Sequence, residues 1–291
     1  MADVLPSWNN TPTKQAILDF VATITDETSP NYVPPSERIA TFDNDGTLWC
    51  EQPIPVQGFF LYDRIRQLAE QQPELRAQQP YKAVIESDWQ TFATFGKKEL
   101  LMLFFATHCD MTLEAFQAIA KSWLNSATHP RFGTLYLQCV YQPMLELMAY
   151  LRANRFKNFI VSGGGIEFIR AFAEAIYSIP PEQVIGSSGQ LHLEIQENKP
   201  LLVKQPELKS FDDREEKVVN IALHIGRIPI LAVGNSDGDL ALLLHHDDAE
   251  REYAYDCNFT LSPLRDGLEK VPKMGGHIIS MKQDFAQIFS D

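Results

Sequence analysis

Phe42-Asp43-Asn44-Asp45-Gly46-Thr47-Leu48-Trp49 is the stretch whose reading decides the fold. It follows a β-prone run, Arg38-Ile39-Ala40-Thr41-Phe42, so a buried strand delivers two carboxylates to its own end. Residues i and i+2 at the frayed end of a strand project to the same side. Asp43 and Asp45 can then face one bound group and divide the work of nucleophile and general acid/base. Gly46 lets the chain turn away through backbone angles closed to other residues. Taken alone, Asp-Asn-Asp-Gly also describes an ordinary strand-end turn. The rest of the chain decides between the two.

The chain has 291 residues, enough for about two domains or one core with a large insertion. Its 45% hydrophobic and 22% charged residues are those of a globular protein with a sizeable core. A formal net charge of −13 argues against nucleic acid or an anionic membrane as partner, because both reward Lys and Arg. An anionic substrate must then be attracted locally, by a metal ion or a few placed cations. The longest fully apolar run, Leu100 to Ala106, is far short of a membrane span. The N-terminus has neither the basic start nor the apolar core of a secretory signal. A cytoplasmic location is the expectation, with the periplasm open if a leader has been removed. The four cysteines, Cys50, Cys109, Cys139 and Cys257, are scattered without a C-x-x-C pair, which points to reduced thiols.

Along the chain, Thr13 to Thr28 has the spacing of an amphipathic helix, with Ile17, Phe20, Val21 and Ile24 on one face. From Gln57 to about Thr128 there are no strand candidates. Helical periodicity predicts helices over Phe59 to Glu70, Tyr81 to Phe95, Lys97 to Thr107 and Thr112 to Ser126. Most of their aromatic residues are expected to form the insertion's own core. After a helix over Met144 to Arg155, the short strand Asn158-Phe159-Ile160-Val161 ends in Ser162-Gly163-Gly164-Gly165. A helix over Ile166 to Tyr177 follows. A hydroxyl and free backbone N–H groups at that strand-to-helix turn suit a phosphate; a glycine turn for tight packing is the alternative.

Val184 to Ile195 reads as a hairpin turning at Ser187-Ser188-Gly189, a decoration on the sheet, with a further strand at Leu201 to Val203. Phe211-Asp212-Asp213-Arg214-Glu215-Glu216-Lys217 then leads into a helix over Val218 to Ile225 with acidic residues in its first turn. By itself Lys217 reads as a surface charge. A third apolar strand, Ile228 to Val233, runs into Gly234-Asn235-Ser236-Asp237-Gly238-Asp239-Leu240. In open α/β sheets ligands bind at such carboxyl ends. His245-His246-Asp247-Asp248 reads as a polar helix end, since adjacent helical residues point apart. The space before Glu252-Tyr253-Ala254-Tyr255 is short for the helix and strand expected there. His277 to Ser280 is a candidate edge strand and Met281 to Phe289 a closing helix.

The Phe42–Trp49 stretch resembles the first motif of the haloacid dehalogenase superfamily of phosphohydrolases, D-x-D-G-T-L. Ser162, Lys217 and the Gly234–Leu240 turn resemble its second, third and fourth motifs, in order. The resemblance, closest to the phosphoserine-phosphatase-like branch, implies an α/β core with a Rossmann-like parallel sheet, residues 1–49 and 140–291, and an inserted all-helical cap, residues 50–139. It implies a Mg²⁺-dependent phosphomonoester hydrolase acting on a small phosphorylated metabolite, phosphoserine-like as a family-level expectation, through an aspartyl-phosphate. Asp43 would be the nucleophile, Asp45 the acid/base, and Ser162 and Lys217 the groups stabilising the phosphoryl, with Asp239 orienting Lys217 or the water around the metal. Thr47, Gly163 and Gly164, and at the hinge Trp49 and Glu51, are the candidates for meeting substrate.

The implied metal ligands are Asp43, the backbone carbonyl of Asp45, and Asn235 or Asp237. Asn235 departs from the family pattern, G-D-x-x-x-D, by standing where an aspartate is usual. Asp45 argues against a dehalogenase, which has no leaving oxygen to protonate. A phosphotransferase and a non-catalytic phospho-ligand or metal-binding protein are the alternatives. The sequence carries no signal for oligomeric state.

Overall fold

The computed structural model describes residues 3–244, 257–261 and 276–290. Its strands are β1 (Ile39–Phe42), β2 (Met111–Thr112), β3 (Lys157–Gly165), β4 (Val184–Gln196), β5 (Lys199–Ser210), β6 (Leu231–Gly234), β7 (Cys257–Leu261) and β8 (His277–Ile279). They lie in the order β2-β5-β4-β3-β1-β6-β7-β8. From β4 to β8 all pairings are parallel; β4–β5 and β2–β5 are antiparallel. The four residues of β1 are all buried, the pattern of a central parallel strand covered on both faces. From β1 the chain runs to β3 and β4 on one side, then returns to β6, β7 and β8 on the other. The order therefore reverses at β1, and the crevice of such a sheet opens beyond that strand's carboxyl end.

The first helix, α1 (Pro12–Thr25), starts at an N-cap Thr11 that accepts from the Lys14 N–H and buries Ile17, Phe20, Val21 and Ile24, the expected face. It stops short of Thr28 because Asp26 takes an extended conformation. Between β1 and β3 lie α2 (Val56–Gln71), α3 (Tyr81–Ile85), α4 (Trp89–Phe92), α5 (Lys97–His108) and α6 (Leu113–Leu124), then α7 (Gln142–Ala153). The helix expected over Tyr81 to Phe95 is two short ones, parted at Ser87, whose φ is +57°.

The insertion is not wholly helical, because β2 adds a two-residue strand to the edge of β5. Nor does it stand apart as one unit. Phe60 of α2 and Phe116 and Trp123 of α6 join the main core, where Phe60 meets Phe168 at 5.2 Å. The end of α2, with α3, α4 and α5, forms a second cluster around Tyr62, Ile65, Val84 and Leu103.

The hairpin differs most from expectation. Ser187-Ser188-Gly189 is not a turn: β4 runs straight through it with a register shift between Ser188 and Gly189. The reversal is at Glu197-Asn198, both at positive φ (50° and 62°), as a tight hairpin turn requires. The resulting arm is a bracket. Lys204 of β5 is buried, pairs with Glu167 at 3.1 Å, and lies 4.9 Å from the centre of the Phe116 ring. One cation thus ties a helix of the sheet layer to the insertion.

After β4 and β5 come α10 (Glu215–His224) and α11 (Leu240–Leu244), and between β3 and β4 lie α8 (Ile166–Arg170) and α9 (Ala173–Tyr177) where one helix was expected. The core is not cut short after β6: β7 supplies a further parallel strand and β8 the edge. The closing helix is shorter than expected, α12 covering Met281–Asp284. His245 to Asp248 and Glu252 to Tyr255 lie outside the described residues. Among the described residues no helix is long and apolar enough to cross a membrane.

Candidate active site

Asp43 continues the β1–β6 ladder by one step, its N–H donating to the Val233 carbonyl at 2.9 Å. The backbone that carries the first carboxylate is therefore held by the sheet itself. From α10 Lys217 reaches the same point. Its Nζ donates to Asp43 Oδ1 at 2.8 Å, to Asp239 Oδ1 at 2.5 Å and to the Val161 carbonyl at 3.0 Å, so all three ammonium protons are used. The other oxygen of Asp239 accepts from the N–H groups of Asn235 and Ser236 and from the Ser236 hydroxyl. Asp239 is a hub, fixing Lys217 with one oxygen and the loop after β6 with the other.

This cluster is buried and carries more negative than positive charge. Burial, then the charge of Asp239, push Asp43 up to about 8 against the pull of Lys217. Burial alone would lower Lys217, but Asp239 and Asp43 outweigh it and hold the ammonium above the ordinary lysine range. Asp45 is raised by burial, with a hydrogen bond from Trp49 working against the shift. That bond runs from the indole Nε1 to Asp45 Oδ1 at 2.9 Å, while the indole stacks on Phe172 at 4.5 Å. Trp49 is thus buried and orients Asp45, and it does not line the cavity.

Gly46, at φ +77°, permits a further convergence: a Cβ there would overlap both the Asn235 amide and the Glu51 carboxyl group. The Asn235 Nδ2 donates to Glu51 Oε1 at 3.1 Å and its Oδ1 accepts from the Thr47 hydroxyl at 3.2 Å. An ionised Glu51 can only accept, which sets the amide's orientation. Glu51 itself is raised by burial and then by the charges of Asp45 and Asp239. Where the family pattern has one aspartate, this chain has an amide holding a carboxylate.

On the other side of β1, β3 does not stop at Val161 but runs on to Gly165 with a register shift after Ser162, which is buried and whose Oγ accepts from the Gly164 N–H at 3.2 Å. The Gly165 N–H donates to Gln57 Oε1 at 2.8 Å. Two of the N–H groups expected to stand free at this turn are therefore engaged. Gln57 escaped the sequence reading, since no local signal ties the first turn of α2 to a glycine 108 positions later. Its Nε2 pairs with His108 Nε2 at 2.9 Å, and His108 Nδ1 faces the Phe104 carbonyl and the Thr107 hydroxyl. Burial pulls His108 down to about 3, so the ring is neutral and closes a polar link between insertion and sheet.

One cavity of about 880 Å³ joins these parts. Asp43, Asp45, Glu51, Ser162, Gly163, Gly164, Lys217 and Asn235 line it. Thr47, Trp49 and Asp239 sit behind that wall, each bonded to a residue in it, and Asp237 on the turn after β6 is outside the lining. Asp213, Ser187 and Gln57 line the cavity without having been singled out. The lining residues suit Mg²⁺ chemically: Asp43, Asp45 and Glu51 bring hard carboxylate oxygens and Asn235 an amide that holds Glu51, in an electronegative hollow. Among the described residues no three His, Cys, Asp or Glu side chains form a ready-made metal cage. Mg²⁺ does not need one, since it is commonly held by one or two carboxylates and keeps several waters.

Fold and site together define an α/β enzyme whose acidic pair sits where the strand order reverses. The chain belongs to the haloacid dehalogenase-like hydrolase family, whose model matches residues 40–244. Among solved structures it is similar to a conserved protein of unknown function from Anaerococcus prevotii DSM 20548, at 17% identity and a TM-score of 0.62, covering 99% of this chain and 98% of that one. It is also similar to a protein of unknown function from Bordetella pertussis Tohama I, at 14% identity and a TM-score of 0.52, covering 84% and 98%. At such identities the likeness is one of fold. No curated protein matches the chain.

Proposed function

We propose that the protein is a Mg²⁺-dependent phosphomonoester hydrolase that works through an aspartyl-phosphate on Asp43. The observation that carries this reading is the buried chain Asp43–Lys217–Asp239 beside a second, separately held carboxylate, Asp45. A carboxylate oxygen of Asp43 attacks phosphorus and the bond to the alcohol oxygen breaks. Asp45 gives that oxygen its proton, then takes one from the water that attacks the phosphoryl group, releasing phosphate and restoring Asp43. The ammonium of Lys217 is bonded to Asp43 and not to Asp45, which favours the ionised form at Asp43 and the proton at Asp45. The charge of Lys217 and the Ser162 hydroxyl would stabilise the transferring group, since positioning and electrostatics carry most of such catalysis.

Bound Mg²⁺ supplies charge neutralisation on the phosphoryl oxygens, held by Asp43, the Asp45 carbonyl and the Asn235–Glu51 pair. It also answers a difficulty of the bare site, because a nucleophile raised to about 8 is largely protonated at neutral pH. An adjacent cation lowers it. Phosphate release from p-nitrophenyl phosphate is expected to require Mg²⁺ and to fall at least about 1,000-fold in Asp43→Asn. Metal-independent release, or an active Asp43→Asn variant, contradicts the reading.

A further inference from the structure

The catalytic groups occupy only the floor of the cavity. Above them the walls are formed by α2, α4, α5 and the end of β5, with Tyr62, Phe92, Leu101, Leu103, Phe104 and Phe211 facing inward. A phosphoryl group and a three-carbon amino acid fill a small part of about 880 Å³. The remainder is large enough for a ring system.

Its chemistry is as selective as its size. Among the described residues no arginine lines the cavity; apart from the acidic floor the charged side chains that do are Lys217, saturated at the floor, and the exposed Lys97 and partly exposed Asp213. Gln57 and His108 lie in the wall, but each spends its polar atoms on the other, on Gly165 and on the α5 backbone, and the His108 ring is neutral. A carboxylate or ammonium seated among the apolar side chains of the walls, away from Lys97 and Asp213, would be stripped of water with no partner among the described residues, a heavy penalty. Aromatic surfaces are plentiful by contrast. Phe104, which stacks on His108 at 4.0 Å, and Tyr62 and Phe92, which pack together at 5.5 Å, all line the space. At the mouth Leu100 and Phe211 are 44% and 57% exposed, apolar surface that a long ligand would cover.

We infer that the substrate is the monophosphate of an aromatic or comparably bulky apolar alcohol bearing no carboxylate or ammonium group. This class differs from the phosphoserine-like expectation, and the test below sets the two against each other. The inference rests on the phosphatase reading and adds to it the class of the leaving alcohol.

The test must hold the acidity of the leaving oxygen constant, since aryl phosphates react faster for that reason alone. kcat/KM with Mg²⁺ is measured for ethyl phosphate, 2-(1-naphthyl)ethyl phosphate, O-phospho-L-serine and uridine 5′-monophosphate. Burial of the naphthyl ring is expected to raise kcat/KM about 100-fold over ethyl phosphate, with O-phosphoserine no better than ethyl phosphate. Leu101→Gln and Phe211→Ser, both at partly exposed positions, are each expected to lower the naphthyl-to-ethyl ratio by about fivefold to tenfold. A ratio near one, or a preference for O-phosphoserine or the nucleotide, overturns the inference and leaves the phosphatase reading standing. Hydrolysis of none of the esters overturns both.

Discussion

The floor and the roof of the cavity are built on opposite principles. On the floor the charged groups are held by assigned partners: three protons of Lys217 on three oxygens, two oxygens of Asp239 on four donors, the indole of Trp49 on Asp45. The roof is apolar side chains from short helices, with the Gln57–His108 link as its polar fixture. Hydrogen-bonded charge in a buried site tolerates no substitution that leaves a partner behind. Apolar walls tolerate exchange of shape at modest cost. In the function proposed above, the floor would fix which bond is broken and the roof would be free to vary which molecule carries it.

The sharpest way to break this contrast is Lys217→Met. It leaves Asp43 and Asp239 facing each other without a cation, and is expected to lower kcat at least about 1,000-fold and stability by about 3 to 5 kcal/mol. Urea unfolding followed alongside turnover checks both. A variant as stable as the parent would mean that the buried network is not what holds the floor. Next in size is Trp49→Phe, which keeps the ring on Phe172 and removes the hydrogen bond to Asp45. A loss of about 10-fold to 100-fold, in kcat more than in KM, is expected because the acid/base group loses its orientation. An equal loss in KM alone would place Trp49 in binding.

A smaller effect sharpens the comparison at the floor's edge. Asn235→Asp sets a carboxylate against Glu51, so the metal-free variant is expected to melt lower than the parent and to gain more from added Mg²⁺. The Mg²⁺ concentration giving half-maximal rate should fall a few-fold. An unchanged or higher value would mean that Glu51 already supplies the charge in full. The same site gives a pH dependence with a definite sign. Asp43, raised to about 8 without metal, must lose its proton to bind Mg²⁺. Apparent Mg²⁺ affinity should thus tighten as pH rises toward about 8 and level off above it. Titration calorimetry in buffers of different ionisation enthalpy measures the released proton directly.

These differences also explain what could be read from the chain. Asp43, Asp45, Ser162, Lys217 and Asp239 are legible as candidates because the chemistry proposed for them requires particular residue types near the ends of apolar runs, and such runs are visible in one dimension. Their convergence follows from β1, β3 and β6 lying side by side. Trp49 was noticed for its place beside the hinge, but its partner Asp45 emerges only once the indole is seen to be buried. The bracket formed by β4 and β5 is hidden in the sequence because Ser187-Ser188-Gly189 carries a strong turn signal and Glu197-Asn198 a weak one. Gln57 and the apolar roof gave no signal at all. Helical spacing of large side chains is the same whether they face a neighbouring helix or a substrate.

The most direct test uses the variant Asp45→Asn with p-nitrophenyl phosphate and Mg²⁺, quenched in acid and digested for mass spectrometry. p-Nitrophenolate leaves without a proton, so the first transfer proceeds, while the water that should follow lacks its base. The expected result is a burst of p-nitrophenolate equal to the enzyme present and a phosphoryl group retained on the peptide containing Asp43. A phosphoryl group on Ser162 or any other residue, or steady turnover with no labelled peptide, would contradict nucleophilic catalysis by Asp43.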